Sequence, residues 1–439
     1  MKKLLITLFT ISAFFLSSCG STKVPTDQTI TPPELNLEKT DNNESSISEN
    51  IESSPENIQD IEKVPAVTET KEPEIIIPET SDEITLLFGG DIMAHGINYN
   101  VSSYDKIWED IKDVVSAADI AFANIESPID TSRPTSSYPQ FNMNEGYVQA
   151  AIDAGFDVFS LCNNHTNDWY LSGMQGTEKT MKKLSKIAEE KGSPIYYSGL
   201  KESPEADFTY NIIEEKGWKI VFFPMTEILN RPDSRSYINY SDPFSKEARQ
   251  NIYNFIKEIK EKEKCDLFIY SIHTYEPEYI RETKPSQEKY YKELIDAGVD
   301  IVMANHTHLI RDRKVVVDTS TNSDKIIMYG NGNVISGQRT KPRFDLEWTE
   351  LDRERDNTGD GLLYITTLKK HENGRIELLK AEPVFITTYI NTANEYIIKK
   401  MDDNFIDYLN EVGRPQWAKY IERRMKVNAA KTKDLIEWQ

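Results

Sequence analysis

The strongest constraint on this chain is the stretch Gly298–Val299–Asp300–Ile301–Val302–Met303–Ala304–Asn305–His306–Thr307–His308. An apolar run stops there at an asparagine, and two histidines follow, one residue apart. Ile301 to Ala304 reads as a short buried strand. At the carboxyl end of a strand in an open α/β sheet, both imidazoles can turn into one crevice. A single His-x-His pair is a weak signal, but other apolar runs end in the same way. Ile84–Phe88 leads into Gly89–Gly90–Asp91, and Asp119–Ala123 into Asn124–Ile125–Glu126. Asp157–Cys162 leads into Asn163–Asn164–His165, Asp266–Ile272 into His273, and Lys325–Tyr329 into Gly330–Asn331–Gly332–Asn333.

Between these runs lie amphipathic stretches of helical period: Asp105–Ala117, Gly146–Ala154, Met174–Glu190, Pro243–Glu263 and Ser286–Ala297. Gly155, Gly192 and Gly298 stand where helices stop. Strands alternating with helices predict an α/β fold, with Trp218–Phe223 as a further strand. Later, Gly361–Lys369 and Ile376–Thr388 alternate like half-exposed antiparallel strands. Glu395–Trp438 is helical in composition, with a break near Gly413–Pro415. The expected organisation is a leader over 1–19, a disordered stalk over 20–82, one folded domain over 83–390 and a C-terminal helical segment over 391–439.

The front of the chain reads as a secretion signal. Met1–Lys2–Lys3 is basic, and Leu4 to Leu16 is apolar but short for a membrane span. The run ends Leu16–Ser17–Ser18–Cys19, which resembles a bacterial lipobox, so Cys19 is the expected lipidation site. The mature chain is then expected outside the cytoplasm, lipid-anchored at the cell membrane or cell surface. The stalk is rich in Ser, Thr, Pro, Asn and Glu and carries roughly ten net negative charges, which keep such a tract solvated. The whole chain has a formal net charge of −21. That excludes a nucleic-acid binder, which needs a basic face. Three cysteines are too few for a disulfide framework. Cys162 and Cys265 read as small buried strand residues.

Asp91, Glu126, Asn164, His273, His306 and His308 all fall at or just past a strand end. Two carboxylates, an amide and three imidazoles suit Mn, Fe or Zn. Calcium would want nearly all oxygen, and a structural zinc site would want thiolates. Six ligands exceed what one open site needs, so two divalent transition-metal ions bridged by a carboxylate are expected. His165 also ends a strand. His95 is either an accessory ligand or a loop residue, and His371 belongs to an exposed hairpin turn.

The motifs Gly90–Asp91–Ile92–Met93, Ala123–Asn124–Ile125–Glu126–Ser127–Pro128 and Ser160–Leu161–Cys162–Asn163–Asn164–His165 with Asp168 carry a resemblance. So do His273 with Glu278–Tyr279, Asn305–His306–Thr307–His308 and Tyr329–Gly330–Asn331–Gly332–Asn333. Together they resemble the capsule-biosynthesis CapA (poly-γ-glutamate capsule) family, over about Glu83 to Ile335. That family is related to the calcineurin-like metallophosphoesterases. The resemblance implies an α/β, metallophosphoesterase-like β-sandwich flanked by helices, here with a helical C-terminal extension. It implies Asp91, Glu126, Asn164, His273, His306 and His308 as metal ligands, with Glu126 bridging. It implies His165 as general acid and Asp168 as its orienting partner. Asn124, Glu278 and Asn331, within the motifs, and Arg311, just after His308, are the expected substrate contacts. Met93 stands where metallophosphoesterases carry a histidine.

The expected function is a surface lipoprotein in the synthesis, export or anchoring of an anionic capsule polymer, with a metal-dependent hydrolase-like site. An anionic polymer or phosphate ester is the expected substrate, and a polymer synthetase complex the expected partner. The alternatives are an extracellular metal-dependent phosphoesterase and a non-catalytic polymer-binding module. Arg281, Lys284, Arg311, Arg313, Lys314, Arg339, Lys341 and Arg343 follow the later strand ends, so they are expected to form a basic collar that steers anions inward.

Overall fold

The computed structural model describes residues 80–436. The leader, Cys19 and the stalk up to residue 79 lie outside the described residues, as does Trp438. In chain order the strands are β1 (Glu83–Ile92), β2 (Ile120–Ile125), β3 (Val158–Ser160), β4 (Tyr196–Ser198), β5 (Asn211–Glu215), β6 (Trp218–Thr226), β7 (Leu267–His273), β8 (Ile301–Asn305), β9 (Arg313–Asp318), β10 (Ser323–Met328), β11 (Asn333–Ile335), β12 (Asp360–Lys370), β13 (Ile376–Ile390), β14 (Tyr396–Lys400) and β15 (Asp434–Ile436). The helices are α1 (Asp105–Trp108), α2 (Lys112–Val115), α3 (Glu145–Asp153), α4 (Tyr170–Glu190), α5 (Lys246–Glu263), α6 (Pro285–Ala297), α7 (Glu354–Asn357), α8 (Asp403–Glu411) and α9 (Pro415–Lys431).

Two sheets form. The first runs β14-β13-β12-β1-β2-β3-β4, with β11 also paired to β1; the second runs β15-β9-β10-β8-β7-β6-β5. Alternation along the strands divides the core. Leu86, Phe88, Ile120 and Phe122 face inward and meet Ile220, Phe222, Ile269 and Met303 of the second sheet. Leu87, Ala121 and Phe159 face outward under α3 and α4, beside Tyr147, Met181 and Leu184. On the far side Val221, Phe268 and Tyr270 pack under α5 and α6, against Ile252, Ile256, Tyr290 and Leu294. Helices cover both outer faces, which is why the central strands are apolar on both sides. This is the α/β class that the alternation of strands and helices predicts, in the sandwich arrangement that the resemblance implies.

Local chemistry sets the element ends. Ser245 caps α5 by accepting from the Ala248 N–H at 3.1 Å. Pro285 begins α6, and Gly298 ends it in the left-handed region at φ 118°. Two expectations need correction. Asp105–Ala117 is not one helix but two short turns, α1 and α2, and neither has a side-chain N-cap. Such turns are held by tertiary packing, here of Ile107, Trp108, Ile111 and Val115. Glu395–Trp438 contains α8 and α9 with a break at Gly413, but it opens with a strand. Tyr396–Lys400 pairs antiparallel with β13, from Ile390↔Tyr396 to Ile386↔Lys400. Tyr396 and Ile398 turn inward from that strand, so sheet pairing overrides helical composition.

Candidate metal centre

The registers line up the strand ends of both sheets. In the first sheet Asp91 lies beside Asn124 on β2 and Asn333 on β11, and Asn124 lies beside Ser160 on β3. In the second, Thr226, His273 and Asn305 form one row across β6, β7 and β8. These strands are parallel within each sheet, so the carboxyl ends gather at one edge. Glycine permits the tightest approach. A Cβ on Gly90 would lie 1.9 Å from the Gly332 carbonyl oxygen, where β11 joins the end of β1.

All six expected ligands meet there. His273 Nε2 is 2.9 Å from Asn164 Oδ1 and 3.1 Å from His306 Nδ1. His308 Nδ1 is 3.3 Å from Asp91 Oδ2, and its Nε2 is 3.8 Å from Glu126 Oε1. Glu126 Oε1 is also 3.9 Å from His273 Nε2. His306 and His308 both take positive φ, 99° and 57°. Conformations of this kind cost about 1–3 kcal/mol in a non-glycine residue and are retained where a site needs them. Here they bring both imidazoles into the crevice from adjacent turns of backbone.

The electrostatics fit a cation. Glu126 is fully buried, and neither carboxylate oxygen has a hydrogen-bond partner. Burial, then the charges of Asp91 and Glu278, push its pKa well above the usual carboxylate value. Burial holds His273 well below the usual imidazole value, helped by His306 and His308. Burial, with His308 next, lowers His306 to about 3. For His308 burial is the largest single influence and opposes the charged form, but the hydrogen bond and charge of Asp91, the charge of Glu278 and the Asn333 hydrogen bond together outweigh it, and the pKa rises. Glu126, a buried carboxylate with no hydrogen-bond donor, stands beside imidazoles of which His273 and His306 are held neutral, so the cluster is short of positive charge. Asp91, Glu126 and His273 each offer a donor atom within 4.8 Å of the others, so this cluster could hold a metal ion.

Beside the cluster, His165 Nδ1 lies 2.8 Å from Asp168 Oδ2. Asp168 is fixed by accepting from the Phe141 N–H at 2.8 Å, and the Phe141 ring stands edge-on to His165 at 4.7 Å. His95 is no free ligand: its Nδ1 accepts from the Gly337 N–H at 3.1 Å. Burial lowers its pKa to about 3. His371 sits in the β12–β13 hairpin turn, 2.6 Å from Glu377. Cys162 is buried and Cys265 half-buried.

The expected substrate contacts divide. Glu278 is half-buried in the loop after β7, and its charge acts on Glu126 and His308. Asn124 donates to Asp91 Oδ1 at 2.8 Å, so it orients a candidate ligand. Asn331 turns away, donating to the carbonyls of Phe88 and Gly89 at 3.1 and 3.2 Å. Arg311 is buried and paired with Glu276 at 2.6 Å, and it also donates to the Ile280 carbonyl. The basic collar is corrected in the same way. Arg281 pairs with Asp352, Arg313 with Asp434, Arg339 with Asp360 and Arg343 with Asp345. The guanidiniums of Arg281, Arg313 and Arg339 are held against carboxylates away from solvent and are spent on structure, whereas the Arg343–Asp345 pair lies at the surface.

Two residues in this region escape the sequence reading. Asn333, two positions past Asn331, places Oδ1 3.0 Å from His308 Nδ1. Asn230 places Nδ2 3.2 Å from His165 Nδ1, and its N–H donates to the Asn164 carbonyl at 3.0 Å. Asn230 follows β6, which is longer than the expected Trp218–Phe223. β6 runs past Pro224 to Thr226, and Pro224 lies beyond the reach of β5, where no ladder bond is lost.

The family model "Bacterial capsule synthesis protein PGA_cap" matches residues 85–338. "Capsule biosynthesis protein CapA" of Bacillus anthracis is 25% identical over 285 residues, 61% of this chain and 62% of that protein. The match thus leaves more than a third of that relative uncovered. "PGA biosynthesis protein CapA" of Bacillus subtilis (strain 168) is 25% identical over 309 residues, 68% of this chain and 71% of that one. Among solved structures, Haemophilus influenzae NAD nucleotidase (NadN) overlays with a TM-score of 0.40 at 9% identity, covering 80% of this chain and 67% of that one, too loosely to carry an argument. The family match spans the strand ends from Asp91 to Asn333, and the chain belongs to the bacterial capsule synthesis protein PGA_cap family.

Proposed function

We propose that this protein is a lipid-anchored, extracytoplasmic member of its family that acts on an anionic capsule polymer, such as poly-γ-glutamate, through a metal-dependent hydrolytic site. The observation that carries the reading is Glu126, a fully buried carboxylate with both oxygens unpartnered between Asp91, His273 and His308. Asp91, Glu126, Asn164, His273, His306 and His308 would hold two divalent ions, Mn, Fe or Zn, with Glu126 between them. Such ions would supply Lewis acidity at a carbonyl or phosphoryl oxygen. His165 would protonate the leaving group from Nε2, while Asp168 holds its other nitrogen. Cys19 would carry the acyl chains. Among the described residues no helix is long and apolar enough to cross a membrane.

A phosphoesterase is the second reading, favoured by the His165–Asp168 pair, which suits an alkoxide leaving group. The test is turnover by the full-length, metal-loaded chain on poly-γ-glutamate, an activated phosphodiester and an unactivated one. Polymer cleavage supports the first reading, and ester cleavage alone supports the second. No turnover of any of them, with metal bound, would leave a binding module in place of an enzyme.

A further inference from the structure

The hydrogen bonds around Asn333 decide which nitrogen of His308 is available to a cation. Asn333 Nδ2 lies 2.9 Å from the Thr358 carbonyl oxygen, 2.9 Å from Gln338 Oε1 and 3.1 Å from Ser336 Oγ. A backbone carbonyl can only accept, so the amide is held with its nitrogen toward Thr358 and its oxygen on the other side. That oxygen is the atom 3.0 Å from His308 Nδ1. An amide oxygen can also only accept, so Nδ1 must carry the proton. Asp91 Oδ2, 3.3 Å from the same nitrogen, is a second acceptor and favours the same placement. The lone pair of the neutral ring is then on Nε2, the nitrogen that faces Glu126 Oε1 at 3.8 Å.

We propose that Asn333 is a positioning residue that fixes His308 in the Nδ1–H tautomer, making Nε2 the atom it offers to a metal. The proposal rests on the metal-centre reading above. It also gives the C-terminal region a role. Thr358 precedes Gly359, whose carbonyl accepts from the Thr388 N–H at 2.7 Å. Next comes Asp360, buried and bound by Arg339 at 2.9 Å, Arg424 at 2.8 Å and Asn428 at 2.9 Å. Arg424 and Asn428 belong to α9, well beyond residue 338, where the family match ends. The far end of the chain thus buttresses the turn that orients Asn333. Such outer partners commonly change metal affinity by about 10–100-fold when removed.

The experiment is long-range proton–nitrogen NMR on the full-length chain with nitrogen-15-labelled histidine. Spectra are taken metal-free at about pH 9 and after loading with Zn²⁺. His308 is assigned by the signals lost in His308→Gln. The wild type should show the His308 proton on Nδ1, and Zn²⁺ should perturb Nε2. Asn333→Leu should lower Zn²⁺ affinity about 10–100-fold, while Asn333→Asp, which keeps an oxygen on the ring, should lie closer to wild type. A proton on Nε2 in the wild type, or equal Zn²⁺ affinity in Asn333→Leu, would overturn the proposal. If Asn333→Leu does not fold, the wild-type tautomer still decides. If the wild type binds no Zn²⁺, the metal-centre reading fails, and the metal-free spectrum still tests Asn333.

Discussion

The two sheets bring opposite chemistry to the crevice. Strand ends of the first sheet carry Asp91, Glu126 and Asn164, all oxygen donors. Strand ends of the second carry His273, His306 and His308, all nitrogen donors. Burial acts on the two sets in opposite senses. It pushes Glu126 toward its neutral, protonated form and His273 and His306 toward their neutral, unprotonated forms. Neither set has an internal partner that settles its electrostatics, and a cation between them would satisfy both. The sandwich is therefore more than a scaffold, because the site exists only where the two sheets close on each other.

If both ends are needed, breaking either should empty the site. Asp91→Ala on the oxygen side, and His306→Ala with His308→Ala on the nitrogen side, should each remove most bound metal by elemental analysis. Retention of metal by one of them would show that a single sheet end suffices. Next in size is Arg311→Ala. It leaves the buried Glu276 charge unpaired, so it should destabilise the fold by about 3–5 kcal/mol in denaturant titration. A weaker polymer affinity with unchanged stability would restore Arg311 to the crevice.

His165→Ala lies outside both donor sets. Metal content should stay near wild type, while turnover of an unactivated ester falls about 10²–10⁴-fold, roughly 3–5 kcal/mol of barrier. An activated ester should be spared, and equal losses on both would remove His165 from the acid role. Asp168→Asn should give an intermediate defect.

The smallest effect is in pH dependence. The folded pKa of Glu126 is raised, so the metal-free native state binds more protons there than the unfolded chain does. Its contribution to stability therefore grows as pH falls through the raised folded value toward the ordinary value of 4.5. His273 and His306 have lowered pKa values, so the unfolded chain binds the extra proton. Their contribution is present above 6.5 and is lost as pH falls below it. Each group can contribute a slope of at most about 1.4 kcal/mol per pH unit. Glu126→Gln should remove the first component and leave a metal-free chain that loses stability more steeply in acid. An unchanged slope would mean that Glu126 is not desolvated as described.

The central strands were legible because each is apolar on both faces and stops at a polar residue. The six candidate ligands were legible for the same reason, since each marks a strand end. What was hidden depends on partners far along the chain. Tyr396–Lys400 has the composition of a helix, and only β13 makes it a strand. Arg311, Arg313 and Arg339 look like free loop charges until Glu276, Asp434 and Asp360 come to meet them. Asn331 and Asn333 stand in one motif, and only their places at the junction of β1, β11 and β12 send one amide to the β1 backbone and the other to His308.

Under the proposed function, Glu126 would be shared by two cations, each held by donors from both sheets. The direct measurement is metal stoichiometry by elemental analysis of full-length wild type and Glu126→Gln, each loaded with Mn²⁺ or Zn²⁺ and desalted. The account predicts two ions per wild-type chain and at most one in the variant. The metal-free variant should be more stable than metal-free wild type by about 1–3 kcal/mol, because a buried carboxylate without donors is gone. A loaded wild type that holds no metal, or a variant that still holds two ions, would contradict it.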